Sequence, residues 1–139
     1  MASAGFTPSF SRPFQRISPT ELAKALRADP STGSRPLVID VRDEDFAGGH
    51  IRSAVNLPEE NFVEDDDVDA IVRRHKDEEL IVFHCMFSQV RGPSCARRFV
   101  ARMAVVLADA DHTPDVRVLT GGYQGFANIY KDDADLIEQ

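Results

Sequence analysis

The feature that most constrains this chain is His84-Cys85-Met86-Phe87-Ser88-Gln89-Val90-Arg91, followed directly by Gly92 and Pro93. Ahead of it, Glu79-Leu80-Ile81-Val82-Phe83 is a short apolar run that reads as a buried strand. Behind it, Ala96, Phe99, Val100, Met103 and Leu107 recur at helical spacing and mark one face of a helix. Pro93 suits the first helical turn, which has no intrahelical use for its N–H. Cys85 therefore leaves the end of a strand, a short loop follows, and Arg91 stands at the mouth of a helix.

Such a loop is built for an anion. Folding back over a helix N-terminus turns backbone N–H groups inward, and the helix dipole adds positive potential at the same point. Arg91 closes the cup with a planar fork that suits a tetrahedral oxyanion. The same field favours the thiolate of Cys85, which makes it a nucleophile beneath the bound anion. Cys85 and Arg91 are thus the candidate catalytic residues. Met86, Phe87, Ser88, Gln89, Val90 and Gly92 are the candidate substrate-binding residues, with the Ser88 hydroxyl placed to donate inside the loop. His84 neighbours Cys85 on a strand end, so its side chain leaves in the opposite direction and reads as a buried support, not a base. A lone cysteine after a strand is more often an inert core thiol. Here the arginine six positions on and the Gly-Pro opening of a helix argue for chemistry.

The string Val-Phe-His-Cys-x-Phe-Ser-x-x-Arg-Gly-Pro, residues 82–93, contains the Cys-x5-Arg signature of protein tyrosine phosphatases and resembles the M-phase inducer phosphatases of the cell-division cycle. Eukaryotic arsenate reductases of the same rhodanese fold share that signature. The resemblance continues upstream in residues 38–51 and 54–58, and downstream in Leu119-Thr-Gly-Gly-Tyr-Gln-Gly-Phe126. It implies one α/β rhodanese-like domain, a central mostly parallel sheet flanked by helices. It also implies a cysteine-dependent phosphatase acting on phosphotyrosine, dual-specificity or small aryl phosphate substrates through a thiophosphate intermediate. The alternative is an arsenate reductase that uses the same loop, with glutathione or glutaredoxin as reductant. The sequence departs from the phosphatases at Met86 and Val90, where they carry glutamates, and at Val41, where they carry a second cysteine. Sulfur transfer is a third reading, although rhodanese sulfurtransferases typically have a loop one residue shorter. A non-enzymatic binding module would normally lack the cysteine or the arginine.

Along the chain, residues 1–16 are rich in Ser, Pro and Phe, lack an acidic residue and read as an N-terminal arm. Arg12, Arg16 and three serines faintly resemble an organellar transit peptide, though the prolines oppose an amphipathic helix. Ser18-Pro19-Thr20-Glu21 is a capping box that opens a helix to about Ala28, before a turn-rich connector over residues 29–36. Leu37–Val41 reads as a buried strand, and Ala54–Leu57 as another. By the resemblance, Asp40 and Arg42 look like the charged pair of the rhodanese fold's first block. They either support the active loop or, the preferred reading, form an ion pair that ties a strand end to nearby backbone. His50 reads as a hydrogen-bonded fold residue. The acidic run from Glu59 to Asp69 reads as a solvated helix start ahead of Val68, Ile71 and Val72. Arg97, Arg98 and Arg102 fall on the polar side of the helix after the loop, as a surface for a phosphoprotein or, the preferred reading, a solvated cationic face. Val116–Leu119 is a strand, and Gly121-Gly122 turns into a short helix through Ile129. The domain is expected over residues 17–131, with residues 132–139 as an acidic tail. Strands alternating with helices imply parallel pairing with crossovers, and ligands in such folds sit beyond the carboxyl ends of the strands.

Composition excludes several classes. With 139 residues, 42% hydrophobic and 28% charged, one globular domain is expected. A net charge of −7 opposes general nucleic-acid binding. No apolar run reaches membrane-spanning length, and no membrane partner is expected. Two cysteines are no disulfide framework, so a reducing compartment, cytoplasmic or nuclear, is expected. The expected partners are a phosphorylated protein or a small oxyanion, with glutathione or glutaredoxin on the second reading. The protein is expected as a monomer or weak dimer, without a metal or other cofactor.

Overall fold

The computed structural model describes residues 15–28 and 35–139. Along them run β1 (Arg16–Ile17), α1 (Pro19–Leu26), β2 (Leu37–Asp40), β3 (His50–Ile51), β4 (Val55–Asn56), α2 (Asp65–Arg74), β5 (Leu80–His84), α3 (Arg91–Val106), β6 (Asp115–Leu119), α4 (Gly122–Tyr130) and β7 (Ile137–Glu138). Single 3-10 turns occupy Glu44–Gly48 and Glu59–Phe62. Five strands pair in the order β1-β6-β5-β2-β4, every pair parallel. The short strands β3 and β7 pair antiparallel beside that sheet. This is the α/β architecture that the sequence implies.

The two-residue period of the strands decides which helix goes where. Ile39, Ile81, Phe83, Val116 and Val118 point to one face, where Val68, Ile71 and Val72 of α2 and Ala96 and Phe99 of α3 cover them. Val38, Val82 and Leu119 point to the other, against Leu22 and Ala23 of α1 and Phe126 of α4. β5 is buried from Ile81 to His84 because both of its faces are covered, which explains its unbroken apolar run. Phe83 lies edge-on to Phe62 and tilted against Phe99, with ring centroids 5.7 and 5.5 Å away. α1 opens with the expected box: Ser18 Oγ accepts from the Glu21 N–H, and Glu21 Oε1 accepts from the Ser18 N–H.

Three details differ from the sequence reading. Arg98 and Arg102 do not form a solvated cationic face. Arg98 donates to Asp65 and to the Phe62 and Val63 carbonyls, and Arg102 grips Asp69 through two bonds of 2.6 and 3.0 Å. The acidic start of α2 is thereby a docking face for α3, a relation between segments 33 residues apart that no local pattern displays. At the C-terminal end, Leu136 and Ile137 are buried and β7 pairs with β3, so the segment after residue 131 packs into the domain. Its two apolar residues outweigh the carboxylates around them. At the other end, Arg16 belongs to β1 and not to an arm; residues 1–14 and the connector residues 29–34 lie outside the described residues.

Candidate active site

β5 ends at His84, the six residues Cys85 to Val90 make the loop, and α3 begins at Arg91. The strand's parallel neighbours, β2 and β6, hold its carboxyl end in the middle of the sheet. Val90 occupies the N-cap of α3 and offers no side-chain acceptor, so the first-turn N–H groups are left to other partners. One finds Cys85: the Gly92 N–H donates to Sγ at 3.3 Å, and the Ser88 N–H donates to the same sulfur at 3.2 Å. Two backbone donors therefore converge on the one sulfur. Gly92 suits this approach, because a Cβ there would stand 3.3 Å from both the Cys85 nitrogen and the His84 Cα, a tight contact that the backbone would have to relax by a few tenths of an ångström.

Three of the loop's carbonyls are bonded to groups outside the loop. The Cys85 carbonyl accepts from the Tyr123 N–H at 2.9 Å and from His84 Nδ1 at 3.0 Å. The Met86 carbonyl accepts from the Gln124 N–H at 2.9 Å, and the Ser88 carbonyl from the Arg16 guanidinium at 3.1 Å. Ser88 itself turns the chain at φ 55°, a left-handed conformation that costs a residue with a side chain about 1 kcal/mol. Its hydroxyl oxygen is buried without a partner. The N-terminus of α4 thus acts as a clamp on the active loop, and Arg16 as a second one. The sequence pointed to neither. The Gly121-Gly122 pair read only as a turn, and Arg16 sits in a segment without periodicity.

Gly122 is what lets the clamp close. Its φ is 61°, and a Cβ there would lie 2.5 and 2.6 Å from the Met86 and Cys85 carbonyl oxygens. Both atoms are backbone, so neither can swing aside. Gly122→Ala is expected to cost about 2–4 kcal/mol, combining overpacking with left-handed strain, and to weaken orthovanadate binding at least tenfold. Urea unfolding and a vanadate titration measure the two effects. An unchanged midpoint and affinity would refute the clamp.

Beneath the cup lies a buried ion pair. Arg42 binds both oxygens of Asp40 at 2.8–3.1 Å and donates to the Gly49 carbonyl at 2.8 Å, with both side chains excluded from solvent. Its guanidinium also lies 4.2 Å over the Tyr123 ring. His84 Nε2 stands 3.6 Å from Asp40 with no hydrogen bond of its own. Burial lowers the pKa of His84 despite the Asp40 charge, so the imidazole is neutral. It is a strut between Asp40 and the Cys85 carbonyl, as its placement after Phe83 suggested, and the Asp40–Arg42 pair ties a strand end to backbone as expected. His50 accordingly bridges the Phe46 carbonyl and Glu138.

The candidate binding residues separate into two groups. Ser88 and Gly92 are buried with Cys85, and Met86 is half-buried. Phe87, Gln89 and Val90 are exposed, and their side chains form the rim of the cup. Arg91 is 30% exposed and 3.6 Å from Asp45, a contact that the sequence did not suggest. Cys95 is unlinked and buried on the inner side of α3. Burial, then Glu59, pushes its thiol up to about 12, so it is neutral and unreactive near pH 7. Val41 is fully buried in the same core as Cys85. Among the described residues no helix is long and apolar enough to cross a membrane.

Comparison with known proteins agrees with this architecture. The Rhodanese-like domain pattern matches residues 18–129. The chain is 33% identical over 121 residues to the dual specificity phosphatase Cdc25 of Arabidopsis thaliana, covering 81% of each. It is 35% identical over 114 residues to arsenate reductase 2.2 of Oryza sativa subsp. japonica, covering 79% of each. Among solved structures, an As-Sb reductase from Leishmania major superposes with a TM-score of 0.77 at 32% identity, over 89% of this chain and 84% of that one.

Proposed function

The chain belongs to the rhodanese-like domain family, and within it we propose a cysteine-dependent phosphatase for phosphotyrosine, dual-specificity or small aryl phosphate substrates. The observation that carries this reading is the tied-back loop. Three carbonyls are bonded away from the cup, and two N–H groups converge on Cys85 Sγ. Cys85 attacks phosphorus and forms the S–P bond while the ester P–O bond breaks. Loop N–H groups and Arg91 hold the non-reacting oxygens, and water then cleaves the thiophosphate. Phe87 and Val90 at the rim offer apolar surface to an aryl or phosphoprotein substrate. A free Cys85 persists in a reducing cytoplasm or nucleus.

Arsenate reduction is the second reading, favoured by the rice and Leishmania similarities. Arsenate has the same tetrahedral shape, so Cys85 and Arg91 would engage it in the same way. Glutathione or glutaredoxin would then resolve the arsenic–sulfur adduct and supply the electrons. A paired assay on one preparation separates the readings: aryl phosphate hydrolysis beside glutathione-dependent arsenate reduction. Hydrolysis at the higher kcat/KM supports the first, reduction alone the second, and neither activity overturns both.

Arg91→Lys tests the cup directly. It keeps the charge but loses the fork, and the rate is expected to fall about 10²-fold or more. Steady-state kinetics on p-nitrophenyl phosphate measures it, and an unchanged kcat and KM would show that the cup is not built around Arg91.

A further inference from the structure

A phosphatase of this kind needs a proton donor for the leaving oxygen, and the loop has none. Met86 and Val90 are apolar, the Ser88 hydroxyl is buried, and neutral His84 lies behind the strand. We propose that Asp45 is the general acid, placed at the mouth of the cup by the 3-10 turn Glu44–Gly48. This rests on the phosphatase reading.

The turn carries Asp45 to Arg91 on a firm base. Gly49 at its end is held by Arg42, Phe46 stacks on His50 with centroids 4.0 Å apart, and the Phe46 N–H donates to the Asp43 carbonyl. Asp45 Oδ2 reaches Arg91 Nη2 at 3.6 Å, and both side chains are about a third exposed. Among the described residues Asp45 is the carboxylate that pairs with Arg91. A substrate dianion must take that guanidinium. The carboxylate then faces a second negative group, and a proton shared between it and the leaving oxygen relieves the repulsion. As the S–P bond forms, the ester oxygen keeps the electron pair of the broken P–O bond and receives the Asp45 proton. In the second half-reaction, Asp45 takes a proton from the attacking water while the S–P bond breaks and the Cys85 thiolate returns.

The test is a leaving-group series of aryl phosphates, from 2,4-dinitrophenyl to phenyl phosphate. Proton donation matters most for the poorest leaving group. Asp45→Asn is expected to lower the rate on phenyl phosphate about 10²-fold and on the dinitrophenyl ester less than tenfold, steepening the plot against leaving-group pKa. Asp45→Glu keeps a carboxyl group and should recover much of the shallow slope. Glu44→Gln, in the same turn but without a contact to Arg91, should follow the wild type. Parallel plots for wild type and Asp45→Asn would overturn the assignment of Asp45 while leaving the phosphatase reading intact. Steepening in Glu59→Gln instead would move the role to that carboxylate and overturn it too. Wild-type protein that hydrolyses no member of the series overturns the phosphatase reading, and Asp45's role with it.

Discussion

Cys85→Ser is expected to lose turnover by about 10⁴-fold or more while the protein stays folded and still binds oxyanions. The serine hydroxyl is a far weaker nucleophile than a thiolate, and two N–H donors do not activate it. The remainder of the cup is backbone and Arg91, which the substitution leaves in place. Oxygen is smaller than sulfur, so the buried site accepts it without overpacking. Orthovanadate affinity within a few-fold of wild type, together with undetectable hydrolysis and undetectable arsenate reduction, is the expected pattern. Full activity in either assay would remove Cys85 from the mechanism. Loss of vanadate binding together with loss of fold would mean that the thiol is structural.

The largest effect on stability is expected from Arg42→Met, about 3–5 kcal/mol. The substitution keeps a long apolar stem and removes the guanidinium. Asp40 is fully buried, and the three hydrogen bonds that its carboxylate receives from the Arg42 side chain would vanish together. The Gly49 carbonyl would lose its partner as well. Because Gly49 ends the turn that carries Asp45, the loss should spread from stability to the mouth of the cup. Urea denaturation followed by circular dichroism gives the first effect. A double-mutant cycle with Asp40→Asn apportions it, since each single change breaks the same pair. A cost under about 1 kcal/mol would contradict the burial of this pair.

Much of the fold was legible because its signals are local. β5 is a run of apolar residues, α3 has its stripe, and α1 carries a complete capping box within four residues. Each is decided by side chains a turn or less apart, where steric and hydrogen-bonding preferences act without help from elsewhere. Cys85 and Arg91 were proposed as nucleophile and anion clamp on equally local grounds: strand, loop and helix N-terminus are contiguous. The direction of His84 followed from strand alternation alone.

What remained hidden depends on segments that meet only after folding. Arg16 reaches a carbonyl 72 residues away, and Arg102 reaches Asp69 across two helices. Tyr123 and Gln124 present N–H groups to Cys85 and Met86 only because β6 and β5 lie side by side and set α4 down on the loop. Glycine at 122 was visible, but the reason for it is a pair of carbonyl oxygens nearly forty positions upstream. A sequence reports which groups are available to donate, accept or carry charge. Which of them pair is decided by the register of the sheet, because the free energy of a polar contact exists only where the backbone brings both partners out of water together. That is why Cys85 and Arg91 could be proposed from the chain alone, whereas the contact of Asp45 with Arg91 exists only in the folded protein.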